Sequence, residues 1–105
     1  MGRNNKENDH LTFKIASSKD VWFHTKDIPG SHVILFTEGR DLTEASIFEA
    51  AAIAAFHSKG KESENVPVDY VQVKYVKKPA GAKPGMVIFT NNRTVYVNPA
   101  LPKEK

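Results

Sequence analysis

Residues 20–36 read DVWFHTKDIPGSHVILF and contain the only tryptophan of the chain, Trp22, together with two of its four histidines. The runs Val21–Thr25 and Val33–Phe36 consist largely of β-branched and aromatic residues, a composition typical of strands. Because side chains alternate along an extended chain, Trp22 and His24 should share one face of the first run. The stretch therefore predicts two strands joined by a turn.

The connection between these strands has the signature of a tight turn. Ile28-Pro29-Gly30-Ser31 fits a type II turn, in which proline presets φ at the first central position and Gly30 adopts the positive φ required at the second. This turn should bring polar side chains to one end of the strands, namely His24, Lys26, Asp27, Ser31 and His32. Polar groups gathered at the end of a rigid strand pair commonly form a functional site.

The composition fits one domain spanning residues 1–105. Its net charge of +3 is a mild basic excess, which a solvated surface produces as easily as a nucleic-acid site does. The absence of cysteine fits a reducing compartment. Since the amino terminus is polar and no apolar run approaches the roughly 20 residues of a membrane helix, we expect a cytoplasmic protein with no membrane partner.

Two elements flank the central stretch. Residues 1–9 read as a polar arm, and the alternation of residues 10–16 predicts a first strand that places Leu11, Phe13 and Ile15 on one face. After the central stretch, Ser46-Ile-Phe-Glu49 has the form of a capping box and predicts a helix over about residues 46–59. Gly60 should cap the carboxy-terminal end of this helix, and an earlier start at Asp41 or Thr43 is also compatible with the sequence.

The second half of the chain predicts further strands. From Val68 the sequence alternates, which places Val71, Val73 and Tyr75 inward and Tyr70, Gln72 and Lys74 on the other face. Residues 86–90 and 93–97 flank Asn91-Asn92, which suits a two-residue hairpin because asparagine tolerates positive φ. That hairpin would pair Ile88 with Val95 and Met86 with Val97. Residues 98–105 should form a flexible tail.

These patterns together predict an α+β domain. Strands outnumber helices and tight turns join them, so we expect a mostly antiparallel sheet of about six strands. The one principal helix should lie between the third and fourth strands.

Three kinds of catalytic or cofactor site fit the residue pattern poorly. His24, Asp27 and His32 match no zinc-binding spacing. Ser31 and His32 are neighbours, and neighbours on a strand point to opposite faces, so they do not form a nucleophile–base pair. Gly81-Ala-Lys-Pro-Gly85 lacks the pattern of a nucleotide-binding P-loop. We therefore expect no metal, no cofactor and no enzymatic activity.

Binding to a phosphate backbone has more support. Lys74, Lys77, Lys78 and Lys83 are grouped around a loop rich in glycine and proline, where ammonium groups and backbone N–H groups can both approach phosphates. Trp22 and His24 have rings that can stack on unpaired bases. The alternatives are that Trp22 is a core anchor and that the lysines are merely solvated, and the pattern alone leaves both open.

Four segments resemble a known family in the right order. They are WFHTKDIPGSHVI at 22–34, GRNNKEND at 2–9, EAA at 49–51 with Ser58-Lys59, and PVDYVQVKYVKK at 67–78 leading into GAKPG at 81–85. Over nearly the whole chain the sequence is similar to the NFACT-R domain, the carboxy-terminal module of the NFACT proteins. The resemblance implies either a fragment of a larger protein or a free-standing member of the family.

The resemblance also implies a function. NFACT-R domains are RNA-binding modules without catalytic activity, and the intact NFACT proteins act in ribosome-associated quality control, on a stalled large ribosomal subunit and with tRNA. The expected partners are therefore RNA, namely tRNA and the large subunit, while the oligomeric state stays open. Motif position implies the following RNA-facing residues: Arg3, Asn4, Asn8, Asp9, Trp22, His24, Lys26, Asp27, His32, Lys59, Lys77, Lys78 and Lys83.

Two other functions remain as alternatives. The first is a protein-binding adhesin, because members of the family carry a fibronectin-binding label. The second, with less support, is a small metal-dependent hydrolase built on His24, Asp27 and His32.

Overall fold

A computed structural model describes residues 5–28, 30–37, 42–82 and 86–100. The elements are α1 (Asn5–His10), a π-helix (Leu11–Ile15), β1 (Val21–Thr25), β2 (Val33–Leu35), α2 (Glu44–Phe56), β3 (Val66–Gln72), a 3₁₀ helix (Val73–Tyr75), β4 (Val76–Lys77), β5 (Ile88–Phe89) and β6 (Arg93–Val97). Within the described ranges four strands form an antiparallel sheet in the order β2-β1-β3-β6, and β4 and β5 form a separate pair. The α+β class is confirmed, whereas a single sheet of six strands is not.

The central pair of strands is where the sequence predicts it. β1 and β2 run antiparallel, with Phe23 opposite Val33 and Val21 opposite Leu35. β3 lies on the other side of β1, so β1 is an interior strand of the sheet. This position explains why a run of bulky apolar residues occurs here, since an interior strand covered on both faces exposes little of either.

Helix α2 covers one face of the sheet. The core on this side contains Val21, Phe23 and Val68 from the strands and four buried alanines of the helix, Ala50, Ala51, Ala54 and Ala55. Small side chains let a helix approach a sheet closely, and the strand residues then fill the space between them. Val21 and Phe23 are therefore on the helix side, opposite to Trp22 and His24.

The other face of the sheet is covered at one end by the π-helix and the β4–β5 pair. Trp22, Ile34 and Val71 are buried here. The partly buried side chains packed against them include Leu11, Phe13, Tyr75, Val87 and Phe89. The sheet thus forms the middle layer of three, and this arrangement buries both faces of β1 and β3.

The predicted first strand is wrong, because Leu11–Ile15 forms a π-helix. Leu11 and Phe13 do face the core, as the alternation suggests, but Ile15 is 55% exposed and Thr12 is fully buried. The segment lies over the Trp22 side of the sheet instead of pairing with a strand. A short apolar alternation fits either geometry, so the pattern did not distinguish them.

The principal helix exists, but its ends differ from the prediction. Thr43 is the N-cap, and its Oγ1 accepts a hydrogen bond from the backbone N–H of Ser46 at 3.1 Å. The predicted capping box at Ser46 is therefore wrong, and the earlier start at Thr43 is correct. At the other end the helix stops at Phe56, and His57 rather than Gly60 is the C-cap.

The predicted hairpin around Asn91-Asn92 is also wrong. β6 pairs with β3, placing Val95 opposite Val68 and Val97 opposite Val66, whereas β5 pairs with β4. Ile88 and Met86 are 58% and 57% exposed, so neither contributes to an inward face. The cause is the 3₁₀ helix, which interrupts β3 and directs Val76–Lys77 into the second sheet, where it supplies a partner for β5. Asn91 does adopt positive φ, at 59°.

The turn between β1 and β2 differs in its glycine. Asp27 carries a positive φ of 57°, whereas the predicted positive φ at Gly30 is wrong, and Pro29 lies outside the described residues. Gly30 instead forms a β-bridge with Ser58. A Cβ atom at this position would lie 2.9 Å from the Cβ of Ser58, so close packing is the reason for glycine here.

The predicted polar arm and the predicted flexible tail are both partly tied into the fold. Asn5–His10 of the polar arm is helical. In the predicted tail, the Oδ1 atom of Asn98 accepts a hydrogen bond from the Asn65 backbone at 3.0 Å, and the Ala100 backbone N–H donates to the carbonyl of Ala52 at 3.2 Å. Residues 101–105 lie outside the described part of the chain.

Candidate nucleic-acid interface

A row of polar side chains crosses the sheet on the face opposite α2. His24 of β1 is directly opposite Asp69 of β3, and Asp69 is opposite Thr94 of β6. His32 continues the row immediately before β2, with its ring centroid 5.5 Å from that of His24 in an edge-to-face arrangement. The prediction that the turn brings His24 and His32 together is therefore confirmed.

Trp22 packs against this row from the interior. Its ring is stacked on His24 at a centroid distance of 5.7 Å and an interplanar angle of 7°, and it meets His32 edge-on at 5.3 Å. Phe89 contacts it from β5 at 4.8 Å. Trp22 is only 1% exposed. In this structure it is a core anchor that fixes the two histidine rings, and a base could not reach its face without a rearrangement.

The amino-terminal helices hold His32 in place. The Oδ1 atom of Asn8 accepts a hydrogen bond from the backbone N–H of His32 at 3.2 Å. The Oγ1 atom of Thr12 lies 3.0 Å from Nδ1 of the same histidine. All three residues are buried. Asn8 was predicted from the family motif, whereas Thr12 was missed because its role depends on the helical turn that brings it over the sheet.

Asp69 is a second residue that the sequence analysis missed. Its Oδ1 atom accepts a hydrogen bond from Thr94 Oγ1 at 2.6 Å and another from Asn92 Nδ2 at 3.2 Å. A signal was present, because Asp69 and Val71 are two residues apart and therefore lie on the same face of the strand. Val71 was predicted to face inward. A carboxylate at an inward position requires partners, and β6 supplies them.

Burial lowers the pKa of His24 from its usual 6.5. Backbone hydrogen bonds at Thr25 and Gly30 and the charge of Asp69 act in the opposite direction but are smaller. The half-buried ring is consequently neutral at physiological pH. A neutral imidazole can stack and accept or donate one hydrogen bond, but it does not neutralise a phosphate.

Positive charge lies around this row rather than within it. Lys78 Nζ is 2.6 Å from an oxygen of Asp9, so an ion pair connects the loop after β4 with α1. Lys26 is exposed at the end of β1, and its backbone N–H donates to the carbonyl of Pro67 at 2.9 Å. Lys59 is exposed and follows Ser58, which bridges Gly30 in the same turn region.

The structure separates the predicted RNA-facing residues into groups. One group consists of the three rings in mutual contact and the residues near them: Trp22, His24, His32, Asn8, Asp9 and Lys78. A second group lies near the turn after β1 and contains Lys26, Asp27 and Lys59. Lys77 is exposed on β4, next to the buried Val76 and hence directed away from Trp22. Arg3, Asn4 and Lys83 lie outside the described residues.

The described parts of the chain contain neither a metal-binding cluster nor a membrane-spanning helix. Among the described residues, no three histidine, aspartate or glutamate side chains lie close enough together to hold a metal ion. None of the helices described is both long and apolar enough to cross a bilayer.

The fold and this polar row define a small α+β domain whose candidate binding residues lie on one sheet face and around its rim. A family model described as "NFACT protein RNA binding domain" matches residues 1–91. Because the match covers most of the chain, the protein belongs to this family, as the sequence motifs indicate.

Several curated proteins are similar over nearly the whole chain. "Rqc2 homolog RqcH" of Bacillus subtilis is 52% identical over 99 residues, covering 94% of this chain and 17% of that protein. The Streptococcus pneumoniae protein of the same name is 46% identical, covering 94% and 18%. The chain thus spans less than a fifth of the length of these relatives.

A solved structure is similar in fold as well as in sequence. It is the C-terminal part of the fibronectin/fibrinogen-binding protein from Streptococcus suis, with a TM-score of 0.88 and 43% identity. The similarity covers 94% of this chain and 39% of that one.

Proposed function

We propose that this chain is a non-catalytic RNA-binding module of ribosome-associated quality control, with tRNA and the large ribosomal subunit as its partners. The observation that carries the proposal is the match to the NFACT RNA binding domain over residues 1–91. Relatives named as Rqc2 homologues support the assignment to quality control.

The distribution of charge supports binding to a phosphate backbone. Lys26 and Lys59 are exposed near the turn after β1, and Lys77 is exposed on β4, so their ammonium groups can approach phosphates from solvent. Lys78 is paired with Asp9, so a phosphate would compete with that carboxylate. Contacts of this kind bind RNA without reading its sequence.

The geometry around His32 supports the absence of catalysis. A hydroxyl and an imidazole do lie within hydrogen-bonding distance, since Thr12 Oγ1 is 3.0 Å from His32 Nδ1. However, Thr12 is 0% and His32 2% exposed. A substrate could not reach the hydroxyl, and the pair instead fixes the position of the histidine.

A salt titration of tRNA binding tests the proposal. The slope of log affinity against log salt reports the number of neutralised phosphates, at about 0.7 per contact for single strands. The variant with Lys77→Ala, Lys78→Ala and Lys83→Ala should have a flatter slope and weaker affinity for all RNAs. The matched control with Lys→Arg at the same positions retains the charges and should retain the slope.

Circular dichroism of each variant is the control for folding. Equal slopes for the wild type and the alanine variant would remove these lysines from the interface. Absence of tRNA binding by the folded wild type, even at low salt, would count against autonomous RNA binding.

One observation favours a second function, that of a protein-binding adhesin. The similar solved structure comes from a fibronectin/fibrinogen-binding protein. Binding of this chain to immobilised fibronectin at physiological salt, with RNA binding absent, would support that function over the first. If the chain binds RNA and does not bind fibronectin, the adhesin function is rejected.

A further inference from the structure

A cavity of about 150 Å³ lies at the end of the sheet where β1 begins and β6 starts. This is the end opposite the turn that carries Lys26 and Asp27, since β1 runs from Val21 at the cavity to Thr25 at the turn. The lining side chains include Leu42, Tyr70, Gln72, Tyr75, Asn91 and Arg93. None of them belongs to the polar row described above.

The walls of this cavity are held by main-chain hydrogen bonds. The backbone N–H of Val73 donates to the carbonyl of Asp20 at 2.9 Å, and that of Thr90 donates to the carbonyl of Tyr75 at 3.3 Å. These bonds fix the 3₁₀ helix on which Tyr75 lies. A site whose walls are already ordered loses less conformational entropy when a ligand binds.

The opposite wall is equally well anchored. Arg93 pairs with Tyr70 across β6 and β3, and the Tyr70 ring stacks on Phe23 at a centroid distance of 5.6 Å. Asn91, with its positive φ of 59°, turns the chain into β6 just before Arg93. The backbone of Arg93 is therefore fixed at the rim of the cavity, and its side chain is exposed.

The chemistry of the lining suits a nucleotide. Two tyrosine rings, one guanidinium and two amide side chains line the cavity, and no described carboxylate does. Lys74 adds a second cation, with Nζ 5.1 Å from the centre of the Tyr75 ring. Aromatic rings stack on unpaired bases, cations attract the phosphate, and amides hydrogen-bond base edges.

A second cavity of similar size shows that volume alone does not select this site. It measures about 170 Å³ and lies between β2 and α2. Its lining is aliphatic apart from Ser46 and Glu49. A carboxylate repels a phosphodiester, and none of the described residues that line this cavity supplies an aromatic ring or a cation.

We propose that the cavity lined by Tyr75 and Arg93 binds one unpaired nucleotide of the RNA. The base stacks against Tyr75, and Arg93 contacts the adjacent phosphate. Gln72 and Asn91 approach the base edge. This inference rests on the proposed RNA-binding function and adds to it a preference for single-stranded over fully paired RNA. A paired base remains in its helical stack and cannot enter a cavity of this size.

Affinity measurements with an unstructured ten-nucleotide RNA and a ten-base-pair duplex test the inference. Tyr75→Leu, which keeps apolar bulk but removes the ring, should weaken oligonucleotide binding about 5- to 150-fold, the effect of one lost stacking contact. Arg93→Ala, at an exposed position, should also weaken it. Duplex binding should change less with both variants.

A matched control comes from a similar lysine elsewhere. Lys61 lies over the Phe56 ring at 4.3 Å, beyond the carboxy-terminal end of α2. Lys61→Ala should leave the ratio of oligonucleotide to duplex affinity unchanged, whereas Lys74→Ala should lower it. Equal ratios in the wild type and in the Tyr75, Arg93 and Lys74 variants would overturn the inference.

Amide chemical shifts of the ¹⁵N-labelled chain separate this inference from the function on which it rests. Shifts at Gln72, Asn91 and Arg93 with the oligonucleotide are expected. Shifts confined to the polar row would refute the nucleotide cavity and leave RNA binding intact. No shift with either RNA would refute both proposals. Saturation of the cavity by free uridine or adenosine monophosphate, with the oligonucleotide no tighter, would identify a mononucleotide site instead of an RNA site.

Discussion

At the scale of single residues, Trp22 has an unusual environment for an indole. Its ring contacts His24, His32 and Phe89, yet its buried Nε1 has no hydrogen-bond partner among the residues that the structure describes. A buried donor without an acceptor is destabilising, so the favourable contribution of this residue comes from ring packing alone.

We therefore expect Trp22→Ala to unfold the domain rather than to weaken binding selectively. Loss of a buried aromatic side chain should lower the free energy of unfolding by about 3–5 kcal/mol. Trp22→Phe should cost less, because a ring remains and no hydrogen bond is lost. Urea unfolding followed by circular dichroism measures both. An unchanged unfolding midpoint for Trp22→Ala, together with weaker RNA binding, would contradict this role.

His24 makes stability depend on pH. Because burial lowers its pKa in the folded state below the usual 6.5, the unfolded chain binds a proton more readily than the folded one. Stability from this residue is thus fully present above about pH 6.5 and decreases as pH falls towards the folded pKa. Below the folded pKa both states are protonated and the loss levels off.

The measurement is the free energy of unfolding between pH 5 and 8 for the wild type and for His24→Gln. The wild type should lose more stability on acidification than the variant, whose residue 24 cannot titrate. Identical pH profiles would show that His24 does not contribute. An NMR titration of the His24 ring in the folded protein determines its pKa directly.

The contacts of single residues show how far the sequence could predict the site. His24 and His32 were expected together because a turn separates their strands. The contacts of His32 with Thr12 and of Asp69 with Thr94 could not be expected, because they join elements distant in sequence. They depend on which strands are neighbours, and the sequence pattern of one strand does not encode its partner.

At the scale of secondary-structure elements, the start of α2 depends on one side chain. Thr43 Oγ1 accepts from the Ser46 backbone at 3.1 Å. Thr43→Ala should lower the free energy of unfolding by about 0.5–2 kcal/mol. Ser46→Ala is the control, since it keeps the backbone donor and should cost less. A larger effect of Ser46→Ala in urea unfolding would support the capping box beginning at Ser46 instead.

The strand pairing makes a contrasting prediction for two aliphatic residues. Val68 on β3 is 0% exposed, whereas Ile88 on β5 is 58% exposed. Val68→Ala should lower the free energy of unfolding by roughly 1–3 kcal/mol, since about 0.8 kcal/mol is lost per buried methylene and a cavity adds to it. Ile88→Ala should change it by only about 0.5 kcal/mol. The reverse order would restore the hairpin of β5 with β6.

The elements that were predicted wrongly share a physical cause. Leu11–Ile15 and the β5 strand both cover the second face of the sheet, so their conformation is set by packing against Trp22 and its neighbours. The sequence of residues 73–75 alternates like a strand, and nothing in it marks the 3₁₀ helix that redirects the chain. β1, β2 and α2 were predictable because their own composition and period identify them.

At the scale of the whole molecule, one sheet supports two cores. Phe23 belongs to the core beneath α2, and its neighbour Trp22 belongs to the core on the other face. Adjacent residues of one strand thus connect both layers, and both cores depend on this one four-stranded sheet. The domain should therefore unfold as a single cooperative unit.

Two spectroscopic signals test this cooperativity. Fluorescence of the single tryptophan reports the core around Trp22, whereas ellipticity at about 222 nm reports mainly α2. We expect coincident urea transitions by the two probes, as two-state unfolding requires. Loss of fluorescence at lower urea than ellipticity would show that the layer containing the π-helix and β4–β5 opens by itself.

The ion pair between Asp9 and Lys78 has a consequence for the folding rate. It joins residues 69 positions apart. In addition, β1 must pair with β3, which follows the intervening helix, before the interior strand is complete. Non-local contacts of this kind are made late, because loop-closure entropy must be overcome before the contacts repay it. Refolding should accordingly be slow for a chain of this length, with α2 gaining helicity before the amino-terminal segment docks.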